Sequence, residues 1–168
     1  MSSTNTPLPA DTPNLVQLPV QAPKVPTSAL VARLAEQFGA TWVDLSNIDA
    51  WAAEGGLRVV LFAGDPVQFP EGQDVAVVLP ELRRSLPDLP FAIGVVKREL
   101  EDALARRYGS QRWPTLLVLR DGQYVTTLSG MHDWDVFLPR MQQALTAPTG
   151  RAPIPVMAAG GAAPSACH

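Results

Sequence analysis

The most regular pattern of apolar and polar positions lies at Arg112–Gly130, RWPTLLVLRDGQYVTTLSG. Leu116–Leu119 is an apolar run rich in β-formers, and Tyr124, Thr126 and Leu128 alternate as a return strand requires. Asp121-Gly122 joins the two runs. A type I′ turn needs positive φ at both central residues, and this dipeptide supplies it. Pro114 stands two residues before the apolar run. Proline cannot donate to a ladder, so it belongs at a strand start or edge. The Trp113–Pro114 bond is also of the kind that takes the cis form at modest cost.

Upstream, helical and strand periods alternate. Thr27 or Ser28 caps a helix whose Leu30, Val31, Leu34 and Phe38 share one face, with Gly39 placed to end it. Thr41–Leu45 reads as a strand. Ser46 opens a short helix through Ala53, which Gly55-Gly56 stops. Arg58–Gly64, RVVLFAG, is an apolar, β-branched run of the kind buried on both faces of a sheet. Asp65–Gln73 holds two prolines and a glycine and reads as a loop. A helix follows to about Leu86 on the stripe Val75, Leu79, Leu82 and Leu86; Pro80 kinks it by removing one backbone bond. Phe91–Val96 is the next strand, and Glu99–Tyr108 a helix that turns Leu100, Ala103, Leu104 and Tyr108 to the core, closed by Gly109. The last helix runs from about Asp133 to Leu145 on Trp134, Phe137, Leu138, Met141 and Leu145, with a bend or late start imposed by Pro139. The order α, β, α, β, α, β, α, β, β, α predicts an α/β domain: a mixed sheet with helices on both faces.

The 168 residues suffice for one such domain with tails. Residues 1–26 carry six prolines and few large apolar groups, and read as an extended arm, within which Leu15, Val16 and Leu18 can dock on the body. The folded domain spans 27–147, and 148–168, rich in Pro, Ala and Gly, reads as a mobile tail. A formal net charge of -3 gives no basic field for nucleic acid. Apolar runs such as Val59–Ala63 are too short to span a bilayer. The N-terminal residues have no basic region ahead of an apolar core, so the expected location is cytoplasmic. Cys167 is the sole cysteine, which rules out an intramolecular disulfide. Cys167-His168 supplies too few ligands for a closed zinc site, and His132, with no serine or cysteine partner at a recognisable spacing, reads as a helix-start residue. No cofactor or metal is expected.

From about Ser28 to Leu145 the chain resembles a thioredoxin fold. RVVLFAG resembles the strand leading into the thioredoxin active site, and Pro80 sits where that fold has a kinking proline in its second helix. Trp113-Pro114-Thr115 resembles its cis-proline segment, and Asp121-Gly122 its hairpin turn. The redox pair of that fold falls near Val67 and Pro70, within VQFP, where there is no cysteine or serine. Leu61 stands where the fold usually places a buried acid. Thiol–disulfide exchange needs an attacking thiolate and a resolving thiol, and this body has neither. The loop FAGDPVQFPEG followed by WPTLLVLRDGQYVTTLSGMHDWDVF resembles the HyaE/HupG/HoxO family of accessory proteins for uptake nickel–iron hydrogenases. The resemblance implies a non-enzymatic cytoplasmic chaperone. Its client would be the hydrogenase small-subunit precursor, which carries a twin-arginine export signal. The chaperone would hold that precursor until its iron–sulfur clusters are in place, beside a second accessory protein.

Charge placement bears on that expectation. Asp44, Asp49, Glu54, Asp65, Glu71 and Asp74 lie between Thr41 and Val75 against Arg58 alone, a local net of -5. A twin-arginine peptide is basic then apolar, so an acidic rim beside an apolar groove suits it. A solvated helix edge and loop also accounts for these acids. Phe62, Phe69 and Trp113 offer an apolar floor for an extended peptide; simple packing of Trp113 against the loop is the alternative, and Pro114 is structural first. The candidate partner-binding set is Phe62, Asp65, Phe69, Glu71, Asp74, Trp113 and Pro114. Arg83-Arg84 and Arg106-Arg107 with Arg112 are basic groups that either meet an acidic partner face or are simply solvated. Two further readings stay open: a thiol-dependent redox protein using Cys167, and a scaffold that never touches the signal peptide.

Overall fold

The structure is a computed structural model that describes residues 26–154. The elements follow the order the pattern predicts: α1 (Ala29–Phe38), β1 (Thr41–Trp42), α2 (Ile48–Ala53), β2 (Leu57–Phe62), α3 (Glu71–Ser85), β3 (Phe91–Val95), α4 (Arg98–Arg107), β4 (Thr115–Arg120), β5 (Gln123–Ser129) and α5 (Trp134–Thr146). The strands form one mixed sheet in the order β1-β3-β2-β4-β5. β1, β3 and β2 run parallel, while β4 runs antiparallel to both β2 and β5.

The continuous apolar runs of β2 and β4 are explained by burial on both sides. Val59, Leu61, Leu116 and Val118 point into one core with Leu34 of α1, Leu79 of α3 and Met141 of α5. Val60, Phe62, Leu117 and Leu119 point into the other with Trp51 of α2 and Leu104 of α4. Each large apolar side chain so buried contributes roughly 1.5–3 kcal/mol of transfer free energy. Three helices thus cover one face and two the other.

Local signals at the turns hold. Ser28 Oγ accepts from Leu30 N at 3.3 Å, and Gly39 ends α1 at φ 68°. Thr27, the other candidate for that cap, serves α4 instead, its Oγ1 accepting from Arg98 N at 3.0 Å. Asp121 and Gly122 both have positive φ, and the Trp113–Pro114 bond is cis.

Several expectations are corrected. β1 is only two residues long, because the Asp44 N–H leaves the ladder for Asn47 Oδ1 at 2.8 Å. Ser46 does not cap α2; its N–H and hydroxyl both donate to Asp44 Oδ1, which holds the Asp44 carboxyl below its usual range. α3 begins at Glu71, so the loop before it is shorter than its composition suggests; Pro80 lies inside α3 as expected, and α5 begins at Trp134, ahead of Pro139, so its start is not late. Alternation in β5 is broken by a bulge opposite Val118/Leu119: Tyr124 packs against one core while Val125 and Leu128 pack against the other. Trp134 is 43% exposed, since the packed part of α5 begins at Phe137, against which His132 lies edge-on. The start of the expected mobile tail is tied down. Gly150 N donates to Tyr124 O at 2.8 Å, Ala152 packs on the second core, and Pro153 lies against Gly109. The arm 1–25 and residues 155–168, with Cys167, lie outside the described residues.

Candidate functional site

The site forms where β2 runs out. Past Phe62 the chain turns through Gly64, whose φ is 81°. An added Cβ there would sit 2.8 Å from Trp113 Cβ and 2.9 Å from Phe69 Cδ2, so only glycine fits. Asp65 folds the next residues back: its Oδ1 accepts from Val67 N at 2.8 Å and Gln68 N at 3.1 Å, and its carbonyl from Phe69 N at 2.8 Å. Gly72 lets the first turn of α3 rest directly on Ala63 O. These constraints bring Phe69 onto Trp113, with ring centroids 5.8 Å apart and planes at 29°. Val67, near which the redox pair would fall, is 85% exposed.

A buried carboxylate holds this loop from behind. Glu101 of α4 is 1% exposed, and accepts from Ala63 N at 2.8 Å and Gly64 N at 2.9 Å. Arg98 Nη1 lies 3.3 Å from Glu101 Oε2 and 2.9 Å from Asp102 Oδ1. Burial pushes the Glu101 carboxyl up to about 7, against the opposing pull of the two backbone N–H groups and Arg98. Leu61 is apolar and buried as expected. An acid is nevertheless present beside this loop, supplied by a helix rather than by the strand. Of the expected core residues of α4, Leu104 and Tyr108 are buried, whereas Leu100 and Ala103 face solvent and Glu101 and Ala105 are buried instead.

Between the Phe69–Trp113 ridge and α4 lies a groove of about 550 Å³, lined among others by Gln68, Phe69, Arg98, Arg106, Ser110 and Trp113. Its size lies within the ~300–1,000 Å³ range of binding clefts. Phe69 and Trp113 come together as expected. Pro114 is buried beside them at the start of β4, and its carbonyl accepts from Gly130 N at 2.8 Å. Phe62 is fully enclosed in the α2–α4 core, because strand alternation turns it inward, so it supports the ridge without offering a peptide any surface. Asp65 is buried and spent on its own loop. Glu71 and Asp74 are exposed on the first turn of α3.

The six acids do not form one rim. Glu54 pairs with Arg58 beside the start of β2, and Asp49 on α2 pairs with Arg107. Glu71 and Asp74 belong to α3, which packs on the opposite face of the sheet from α2. Arg98 and Arg106 line the groove instead, and helical periodicity alone gave no sign of it. Two backbone N–H groups left at the end of β2, together with a glutamate one position off an apolar stripe, were the available signal. No cluster of potential metal ligands occurs among the described residues.

This geometry defines a class: a thioredoxin-like protein with no thiol in the loop that follows β2. A solved mutant thioredoxin from Halobacterium salinarum superposes with a TM-score of 0.51 at 20% identity, over 63% of this chain and 90% of that one, which supports the fold. The family model described as "Hydrogenase-1 expression protein HyaE" matches residues 30–137. Hydrogenase expression/formation protein HoxO of Cupriavidus necator is 52% identical over 83% of this chain and 88% of its own length. Hydrogenase expression/formation protein HupG of Rhizobium leguminosarum is 38% identical over 80% and 89%. The chain belongs to this HyaE/HupG/HoxO family, and its role lies in hydrogenase maturation.

Proposed function

We propose that the chain is a non-enzymatic maturation chaperone that holds the precursor of a hydrogenase small subunit in the cytoplasm before export, beside a second accessory protein. One observation carries the reading: the loop where a thioredoxin would hold its thiols presents an exposed Val67 and a half-buried Phe69 stacked on Trp113, and is fixed from behind by Glu101. A rigid apolar ridge beside a groove supports capture, and thiol exchange has no sulfur there to use. Phe69 and Trp113 bury apolar side chains of the client. Glu71 and Asp74 suit the basic part of its twin-arginine signal peptide. Asp65, Phe62 and Pro114 shape the ridge without touching the client. The client's iron–sulfur sites are protected by covering, and affinity stays modest so that the client can leave. No helix among the described residues is long and apolar enough to cross a membrane.

The test is binding of the purified chain to the small-subunit precursor, with and without its signal peptide, at low and high salt. Capture that weakens on removal of the signal peptide and in high salt is the expected result. Unchanged capture on both counts moves the site to the mature client, and no capture of either form overturns the proposal.

A further inference from the structure

We infer that the groove between the Phe69–Trp113 ridge and α4 takes an extended segment of the client in which carboxylates stand beside apolar side chains, so that its occupant is acidic and lies outside the basic signal peptide. The inference rests on the reading of this chain as a client-binding chaperone. It is carried by the cations that line the groove, Arg98 and Arg106, of which Arg106 has no acid to meet among the described residues.

Arg106 lines the groove and makes no ion pair among the described residues. Arg112 is exposed and directly precedes Trp113. Asp102, the acid of the groove wall, is already held by Arg98 at 2.9 Å. Glu101 lies behind Arg98 with both oxygens committed to Ala63 N and Gly64 N. Trp113 and Ser110 belong to the same wall, with Trp113 Nε1 and Ser110 Oγ buried behind it, so the charged groups decide what the groove meets. A guanidinium can only donate. Carboxylates and peptide carbonyls accept, and a carboxylate meets a guanidinium with two parallel bonds. A twin-arginine stretch would bring donors to donors and cations to cations. Glu71 and Asp74, the acids that suit such a stretch, do not line this groove. The two sides of the ridge therefore sort a client by charge: its basic part toward α3, its acidic, apolar part toward α4.

The experiment uses the full chain and two synthetic decapeptides, identical in their Leu and Phe positions, one carrying Asp and the other Arg at the remaining places. Calorimetry should show the Asp peptide binding, more weakly in high salt, and the Arg peptide binding less well. Arg106→Glu, an exposed change, should weaken the Asp peptide about fivefold and lift the Arg peptide, while Arg106→Lys keeps most of the preference. The Asp peptide should also reduce capture of the mature, signal-free client. Equal binding of the two peptides, binding of neither, or no response to Arg106→Glu overturns the inference. Binding of the Asp peptide without competition against the client overturns the client as its source. Capture of the precursor is measured in parallel, so loss of the peptide preference with capture intact sinks this inference and leaves the chaperone reading standing.

Discussion

The two ends of strand β2 meet turns made from the same parts and secured in different ways. At one end the Asp121–Gly122 turn puts a glycine at φ 79° beside an aspartate whose Oδ1 accepts from Gly56 N at 2.8 Å. At the other, Gly64 at φ 81° precedes Asp65, whose Oδ1 accepts from Val67 N and Gln68 N. The hairpin turn is closed by its flanks, with Arg120 paired to Gln123, and is tied by two hydrogen bonds between Asp121 and Gly56 to the chain just before β2. The ridge loop is closed from far away, by Glu101 38 residues beyond Ala63 and by Trp113 above Gly64. Both turns are also fixed by distant residues, but the hairpin turn meets only the backbone of Gly56. The ridge loop is covered by the side chains of Glu101 and Trp113, which crowd Gly64 and leave Val67 exposed.

Substitution at the two glycines would break this comparison most directly. Gly64→Ala meets both a positive φ and the Trp113 and Phe69 side chains, so it should cost about 3 kcal/mol, summing roughly 1–2 for the left-handed backbone and 1–3 for overpacking. Urea unfolding gives that figure, and displacement of the Trp113 ring should appear as a shift in tryptophan emission. A loss near that of the hairpin glycine would show that the ridge loop is no more constrained than a simple turn.

Glu101→Gln comes next. An amide presents one acceptor where the carboxylate presents two, so Ala63 N or Gly64 N goes unmet at a cost of about 1–3 kcal/mol. The pH dependence sharpens the point. With a folded pKa of about 7 against an ordinary glutamate value of 4.5, the folded state holds the proton more tightly than the unfolded one. Stability from this group is full below the unfolded value and is lost as pH rises through the folded one, about 3 kcal/mol in all. Unfolding curves collected from pH 4 to 8 should show that decline in the parent and not in the variant. Gly122→Ala is the smallest of the three. The nearest atom to its added Cβ is 3.7 Å away, so only the backbone conformation is charged, about 1–2 kcal/mol by the same unfolding measurement.

Legibility in the sequence follows the same division. The hairpin, the order of elements, Pro114 and the two-sided burial of β2 are local patterns and were readable. Glu101 was not. Leu100, Leu104 and Tyr108 share a stripe with helical spacing, and so do Glu101, Leu104 and Tyr108. Apolarity favours the first, and only the distant N–H groups of Ala63 and Gly64 select the second. The acidic rim failed for a related reason: residues close in sequence are sent by α2 and α3 to opposite faces of the sheet. Phe69 and Trp113, far apart in the chain, were brought together by a resemblance in fold and not by any local rule.

The segment after α5 has a mechanical consequence. It leaves α5 where Arg120 holds the carbonyls of Leu145 and Ala147, crosses β5 at Tyr124, and passes Gly109, which borders the groove, at Pro153. It therefore works as a belt in series with the groove wall. Tension passing back along the chain through Ile154 meets the Pro153–Gly109 contact at the groove wall before it meets the Gly150–Tyr124 hydrogen bond to the sheet.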